Sequence, residues 1–252
     1  MAKLIITPEI AERELAIRKR LNGLKYYEPL PYQDAFRKST SKRRAFVGSN
    51  RSGKSYAGCA EDAYFATGTH PFRKIETPNE GWIVVPKFEK IEGAIYPHLK
   101  SLIPAEYIGK QPNWRTHSWE LRNGSVIFFK SWWQGVESFA SSNIRYVHFD
   151  EEFPERIYNE VMARLVDQNG DAWFVFSPLS GMSWLKRKFE ENPTKYFIVN
   201  ANIYENIHLG RDEIARLVSD CTTEDERQAR IYGEWSMIEG NVFQQFDENV
   251  HV

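Results

Sequence analysis

Cysteine is nearly missing from this chain. Its 252 residues include two, Cys59 and Cys221, far apart and without metal-ligand spacing, which excludes a disulfide framework and reads as the reduced thiols of a cytosolic protein. Net charge is equally scarce: Lys plus Arg total 33 against 34 for Asp plus Glu, so no bulk field draws the molecule to nucleic acid, and any such contact must be local. No apolar run approaches the roughly 20 residues needed to cross a bilayer. The opening Met1-Ala2-Lys3-Leu4-Ile5-Ile6 is too short an apolar segment for a signal peptide, so a soluble intracellular protein with no membrane partner is expected. Repeats and low-complexity tracts are lacking too, which excludes a solenoid. What is plentiful is apolar and aromatic content, 42% and 14%, enough for a full core in one large domain or one domain with an appendage.

One stretch stands apart. Phe46-Val47-Gly48-Ser49-Asn50-Arg51-Ser52-Gly53-Lys54-Ser55 completes the phosphate-loop pattern G-x-x-x-x-G-K-[ST] without a mismatch. Its glycines let the backbone N–H groups of the loop turn inward around phosphates, Lys54 reaches the terminal phosphates, and the Ser55 hydroxyl sits on Mg²⁺. The context agrees. Ala45-Phe46-Val47 is a short apolar run feeding the loop, and residues 55–67 carry Tyr56, Ala60, Ala63, Tyr64 and Phe65 at helical spacing before Gly68 stops them. That helix adds the positive end of its dipole. Arg51, inside the loop, either stabilises transition-state charge or points into solvent.

Residues 8–21 place Ile10, Leu15, Ile17 and Leu21 among many charges, an exposed amphipathic helix that reads as an appendage. Gly81-Trp82-Ile83-Val84-Val85-Pro86 reads as a buried strand, and residues 119–129 as a hairpin around Asn123-Gly124. Tyr146-Val147-His148-Phe149 and Ala172-Trp173-Phe174-Val175-Phe176 are further core strands, separated by a helical stretch over 155–165. Strands alternating with helices predict a mostly parallel sheet covered on both faces, and from about Asn200 onward the pattern turns helical and charged.

The strand ending at Phe149 runs into Asp150-Glu151-Glu152, as a hydrolysing phosphate-loop enzyme requires. Asp150 would hold Mg²⁺ through its water shell and Glu151 would take a proton from the attacking water; Glu152 lies one residue farther from the strand end. The bland alternative is the acidic first turn of the helix beginning near Pro154. Gln33 is either an amide that reads the adenine edge or an exposed loop glutamine. Ser177 either senses the γ-phosphate or simply ends its strand. Trp114, Trp119, Trp132 and Trp133 lie among Arg115, Arg122 and Lys130, where base stacking is conceivable but core and hairpin packing is the better account. His148, inside an apolar strand without other ligands nearby in sequence, reads as a packed core histidine with no catalytic part.

Taken in order, Pro31-Tyr32-Gln33, the loop at 48–55, Asp150-Glu151-Glu152-Phe153-Pro154, Arg164, Ser177-Pro178-Leu179-Ser180-Gly181 and Arg230-Ile231-Tyr232-Gly233-Glu234-Trp235 resemble the large terminase subunit of tailed bacteriophages across nearly the whole chain. The resemblance implies an α/β P-loop NTPase of the ASCE type, a doubly wound sheet with a small helical lid. It implies an ATP-driven, Mg²⁺-dependent motor that moves double-stranded DNA into a procapsid in the host cytoplasm, as a homo-oligomeric ring on the portal protein with a small terminase subunit. Residues 1–200 would form the core with its appendage and 201–252 the lid and linker, moved through the Ser177-Pro178 turn.

Family members normally continue into an RNase H-like nuclease. Gly240-Asn241-Val242-Phe243-Gln244-Gln245-Phe246-Asp247 looks like the approach to it, so the chain is expected to hydrolyse ATP and not to cut DNA. Ring motors of this kind offer an arginine to the neighbouring subunit's γ-phosphate. Arg145 is the expectation here, with Arg156 and Arg164 as competitors and a surface ion pair as the alternative. Lys186, Arg187 and Lys188 are DNA contacts or a solvated basic helix face. The rival functions are a helicase-like DNA translocase and a nucleotide-gated ring-assembly module with little hydrolysis.

Overall fold

The computed structural model describes residues 7–140, 143–179 and 183–235; residues 240–247 lie outside them. Helix α1 (Pro8–Leu21) starts where Thr7 Oγ1 accepts the Ile10 N–H and Pro8 fills the first turn, and none of its residues is buried. After it, α2 (Pro31–Lys38) leads to β1 (Arg43–Gly48) and α3 (Lys54–Thr67). Five more strands follow: β2 (Glu80–Val85), β3 (Ser118–Glu120), β4 (Val126–Ser131), β5 (Tyr146–Asp150) and β6 (Asp171–Phe176). Between β2 and β3 run the single turn α4 (Phe88–Lys90), a π-helical turn Ile91–Ile95 and α5 (Tyr96–Leu102). Helix α6 (Glu155–Arg164) links β5 to β6, and α7 (Ser183–Glu191) leads to β7 (Phe197–Ala201).

The strands form one sheet in the order β3-β4-β2-β5-β6-β1-β7, parallel throughout except for β3, which makes the expected hairpin with β4. Because side chains alternate along a strand, the sheet serves two cores. Ala45, Val47, Val147, Phe149, Ala172, Phe174 and Phe176 face one side with Ile157, Tyr158 and Val161 of α6 and Leu185 and Phe189 of α7. Phe46, Tyr146, Trp173 and Val175 face the other, with Phe36 of α2 and Ala57 and Phe65 of α3, while Ile83 and Val85 meet Ala60, Ala63, Leu99 and Leu102 there. Each large buried side chain is worth about 1.5–3 kcal/mol of transfer free energy, so both faces must stay covered. The doubly wound expectation holds, and so does the additional strand that the ASCE type implies: β6 lies between β1, which feeds the phosphate loop, and β5, which carries the acidic end.

One strand lies outside the sequence expectation, which turns helical at about Asn200. Strand β7 pairs in parallel with β1, from Arg44↔Phe197 to Gly48↔Ala201. At the sheet's edge only Val199 and Ala201 of its residues are buried, so its alternation is too short to stand out. Beyond it α8 (Arg211–Ser219), α9 (Glu224–Arg227) and a π-helical turn Gln228–Tyr232 supply the helical, charged segment.

Candidate active site

Strand β1 ends at Gly48 with the sheet's carboxyl edge before it, and the loop turns there into the N-terminus of α3. Gly53 makes the turn possible: its φ is +74°, and a Cβ there would meet Gln33 Nε2 at 2.6 Å. The loop is held from four sides. Ser49 N–H donates to Ala201 O of β7 (2.9 Å) and Asn50 N–H to Arg230 O of the C-terminal π turn (2.8 Å). Tyr32 Oη donates to Ser52 O and Gln33 Nε2 to Gly53 O, both at 3.0 Å. Ser177 Oγ, just past β6, donates to Gly48 O at 2.8 Å. Lys54 is buried and its ammonium donates to Ser49 O (3.0 Å); burial lowers its pKa, opposed by Glu151 and Asp150. Ser55 follows it, half-buried, at the second position of α3.

Asp150 and Glu151 end β5 on the same edge. Alternation turns Asp150 and His148 toward α3, where Asp62 Oδ2 lies 2.7 Å from His148 Nδ1, and His148 Nε2 lies 3.6 Å from Asp150 Oδ2. Burial alone would lower the His148 pKa, but Asp62 and Asp150 outweigh it and raise it to about 9. Asp62 is pushed up to about 6 by burial, against the pull of His148. Burial would raise Asp150 as well, yet His148 and Lys90 hold it well below the usual carboxylate range. His148 is therefore packed in the core, as its sequence suggests, but in an Asp62–His148–Asp150 chain that no local pattern reveals. Lys90, at the end of α4, bridges Asp150 Oδ1 and Glu151 Oε1. Glu151 itself has φ +80° and donates its N–H to Val175 O (2.8 Å).

Loop residues 48–55, Ser177, Asp150 and Glu151 thus meet at one edge. Gln33 meets them from α2, but its amide is spent locally, with Oε1 accepting the Leu30 N–H (2.9 Å) and Nε2 on Gly53 O. It is neither an exposed loop residue nor, here, turned to a base. Arg51, at φ +60°, pairs with Glu213 of α8 (2.9 Å) and is largely exposed. Arg145 is not brought to the site: it precedes β5 and binds Asp171 Oδ2 at 2.6 Å, at the amino end of the strands and opposite the phosphate loop. Arg164 pairs with Glu160, while Arg156 is exposed in the first turn of α6, beyond the acidic end. Trp119 is buried and Trp114 stacks on Phe129, which supports packing, although Trp133 remains two-thirds exposed under Lys87. Lys186 and Lys188 pair with Glu190 and Glu155.

Residues 45–250 match a protein-family profile described as terminase large subunit, T4likevirus-type, N-terminal. The chain is 27% identical to the terminase large subunit of Salmonella phage P22, over 82% of this chain and 50% of that protein, so it spans about half the length of this curated relative. Its fold is similar to the large terminase ATPase domain of Thermus phage P74-26 (TM-score 0.67, 18% identity, 93% of this chain and 100% of that one). It is also similar to the large terminase of another thermophilic bacteriophage, solved in complex with ADP (TM-score 0.67, 17% identity, 92% of this chain and 56% of that one).

Proposed function

Because the chain belongs to the terminase large-subunit family, matching its N-terminal part, we propose that it is the ATP-hydrolysing motor domain of a viral machine that drives double-stranded DNA into a procapsid. One observation carries the reading: a complete phosphate loop and an Asp-Glu strand end share the carboxyl edge of a parallel sheet, one strand apart. That edge is where open α/β sheets bind their ligands.

In this reading the loop N–H groups other than those of Ser49 and Asn50, which are held by Ala201 O and Arg230 O, cradle the phosphates with the α3 N-terminus, and Lys54 leaves Ser49 O to meet the terminal ones. Ser55 and Asp150 offer the hard oxygen donors that suit Mg²⁺, which when bound would neutralise charge between the β- and γ-phosphates. Glu151 takes a proton from the attacking water. Arg51 and Ser177 respond to the γ-phosphate and pass its presence to α8 and the turn after β6. Residues 201–252 act as lid and linker on a core of 1–200. The arginine offered to a neighbouring subunit in the ring is Arg156 in preference to Arg145, because Arg145 is bound to Asp171 at the opposite edge. Portal protein, small terminase subunit and host cytoplasm belong to this proposal as the family's setting.

The test is steady-state ATP hydrolysis with Mg²⁺, beside nucleotide binding, for the native chain and Glu151→Ala. The variant is expected to bind ATP but to lose about 100-fold or more of turnover, the scale of general-base catalysis. If the native chain binds ATP without hydrolysing it, either the site is completed only by a neighbouring subunit's arginine or the ring-assembly reading replaces the motor; if it binds none, the nucleotide site itself is refuted.

A further inference from the structure

We propose that Lys90 is a positioning residue that holds Asp150 and Glu151 together and must be displaced from them when a metal–nucleotide complex binds. The inference rests on the proposed function and deepens it. Strands β2 and β5 are parallel neighbours with Val84 beside Phe149, so the chain leaving Val85 runs past the end of β5. It brings the Lys90 ammonium, three-quarters covered, between Asp150 Oδ1 and Glu151 Oε1.

Three features make this more than a surface ion pair. Asp150 is 1% exposed and its Lys90 partner is largely covered, so the pair is far less screened than one on the surface. The same ammonium takes both carboxylates, the proposed metal holder and the proposed base, whereas Lys54 is turned to Ser49 O. While Glu151 Oε1 accepts from an ammonium, it is a poor acceptor for a proton from water. A divalent cation at Asp150 meets the like charge of Lys90 within hydrogen-bond reach, and the two cannot share the site without repulsion.

The backbone offers a way out. Lys90 runs directly into the π-helical turn Ile91–Ile95, whose Ile91 and Ile95 are buried while Gly93 has no heavy atom within 4 Å of where its Cβ would be. A π turn carries one residue more than an α turn. Re-forming it moves Lys90 while Leu99 and Leu102 of α5 stay packed, a use such turns serve at functional sites.

The test is Mn²⁺ binding without nucleotide, by calorimetry, to the full chain and to Lys90→Met and Lys90→Arg. Removing the resident charge should tighten Mn²⁺ binding in Lys90→Met by about tenfold, since the displaced repulsion is between close, partly buried charges. Lys90→Arg should bind like the native chain. If Lys90→Met binds Mn²⁺ no better than native, Lys90 is a structural counter-ion and the proposal fails. Should Lys90→Met not fold, Lys90→Gln removes the charge but keeps a donor, and the same gain is required of it. Failure of the native chain to bind nucleotide would overturn the motor reading and displacement by nucleotide with it, whereas the Mn²⁺ comparison, which uses none, tests the opposition of Lys90 to the cation separately.

Discussion

Arg44 and Glu61 meet inside the molecule at 2.6 Å, with neither side chain more than 1% exposed. Phe36 and Trp173 lie beside the guanidinium, and His70 Nε2 lies 3.4 Å from the same carboxylate. Such a pair is poor evidence of net stability but costly to break from one side, because a buried charge is left alone. Arg44→Met should destabilise the fold by about 3–5 kcal/mol in urea unfolding, and Arg44→Met with Glu61→Leu by distinctly less. A double variant no better than the single would contradict this. Burial would raise the Glu61 pKa, yet Arg44 and His70 bring it below its ordinary 4.5. A depressed carboxylate stabilises the fold above its unfolded pKa and loses that contribution as pH falls through the folded value. The stability gap between native and double variant should therefore narrow below about pH 4.5. At this scale the sequence is uneven. Loop residues 48–55 are legible because their chemistry fits within eight neighbouring positions. Lys90 and Asp62 are not: their partners come from strands and helices remote in the chain, and only the sheet order joins them.

Elements converge on the phosphate loop from both ends of the chain, α2 before it and the turn Gln228–Tyr232 long after it. Gly233 closes that turn at φ +70°, and a Cβ there would lie 2.6 Å from Ser49 N and 2.7 Å from Ala201 O. Gly233→Ala should cost about 1–3 kcal/mol of backbone strain and weaken nucleotide binding, though it touches no ligand. Unchanged affinity would show that the turn does not hold the loop. Gln33 is tested by selectivity. Gln33→Ala should weaken ATP and GTP to a similar extent if the amide acts by steadying Gly53 O and Leu30 N–H, and ATP alone if it reads adenine. Strand and helix identities were largely readable from periodicity. The edge strand β7 and helix α2 were not, the first for want of buried positions and the second because Pro31, with Pro29 two residues before it, opens the helix with the residue type that also marks turns.

For the whole molecule, the sheet's middle is the stable part. Every residue of β5 and β6 is buried, whereas α1 buries none and β3 is a short edge strand. In hydrogen exchange, β5 and β6 amides should open only with global unfolding, and α1 and β3 amides well before. Early exchange in β5 would contradict the two-core arrangement. The fold class was legible because alternating strands and helices admit few layouts; the insertion of β6 between β1 and β5 depends on long-range pairing that no local pattern encodes. That insertion has a mechanical meaning. Strand β6 gives its Val175 carbonyl to Glu151 N–H on one flank, and the Ser177 hydroxyl just beyond it ties to Gly48 on the other. The gap between the two halves of the site is therefore gauged by the hydrogen-bonding pitch of the polypeptide itself, two strand spacings of roughly 4.8 Å each. Side-chain exchange can retune what lines that gap, but its width is a fixed dimension of the scaffold.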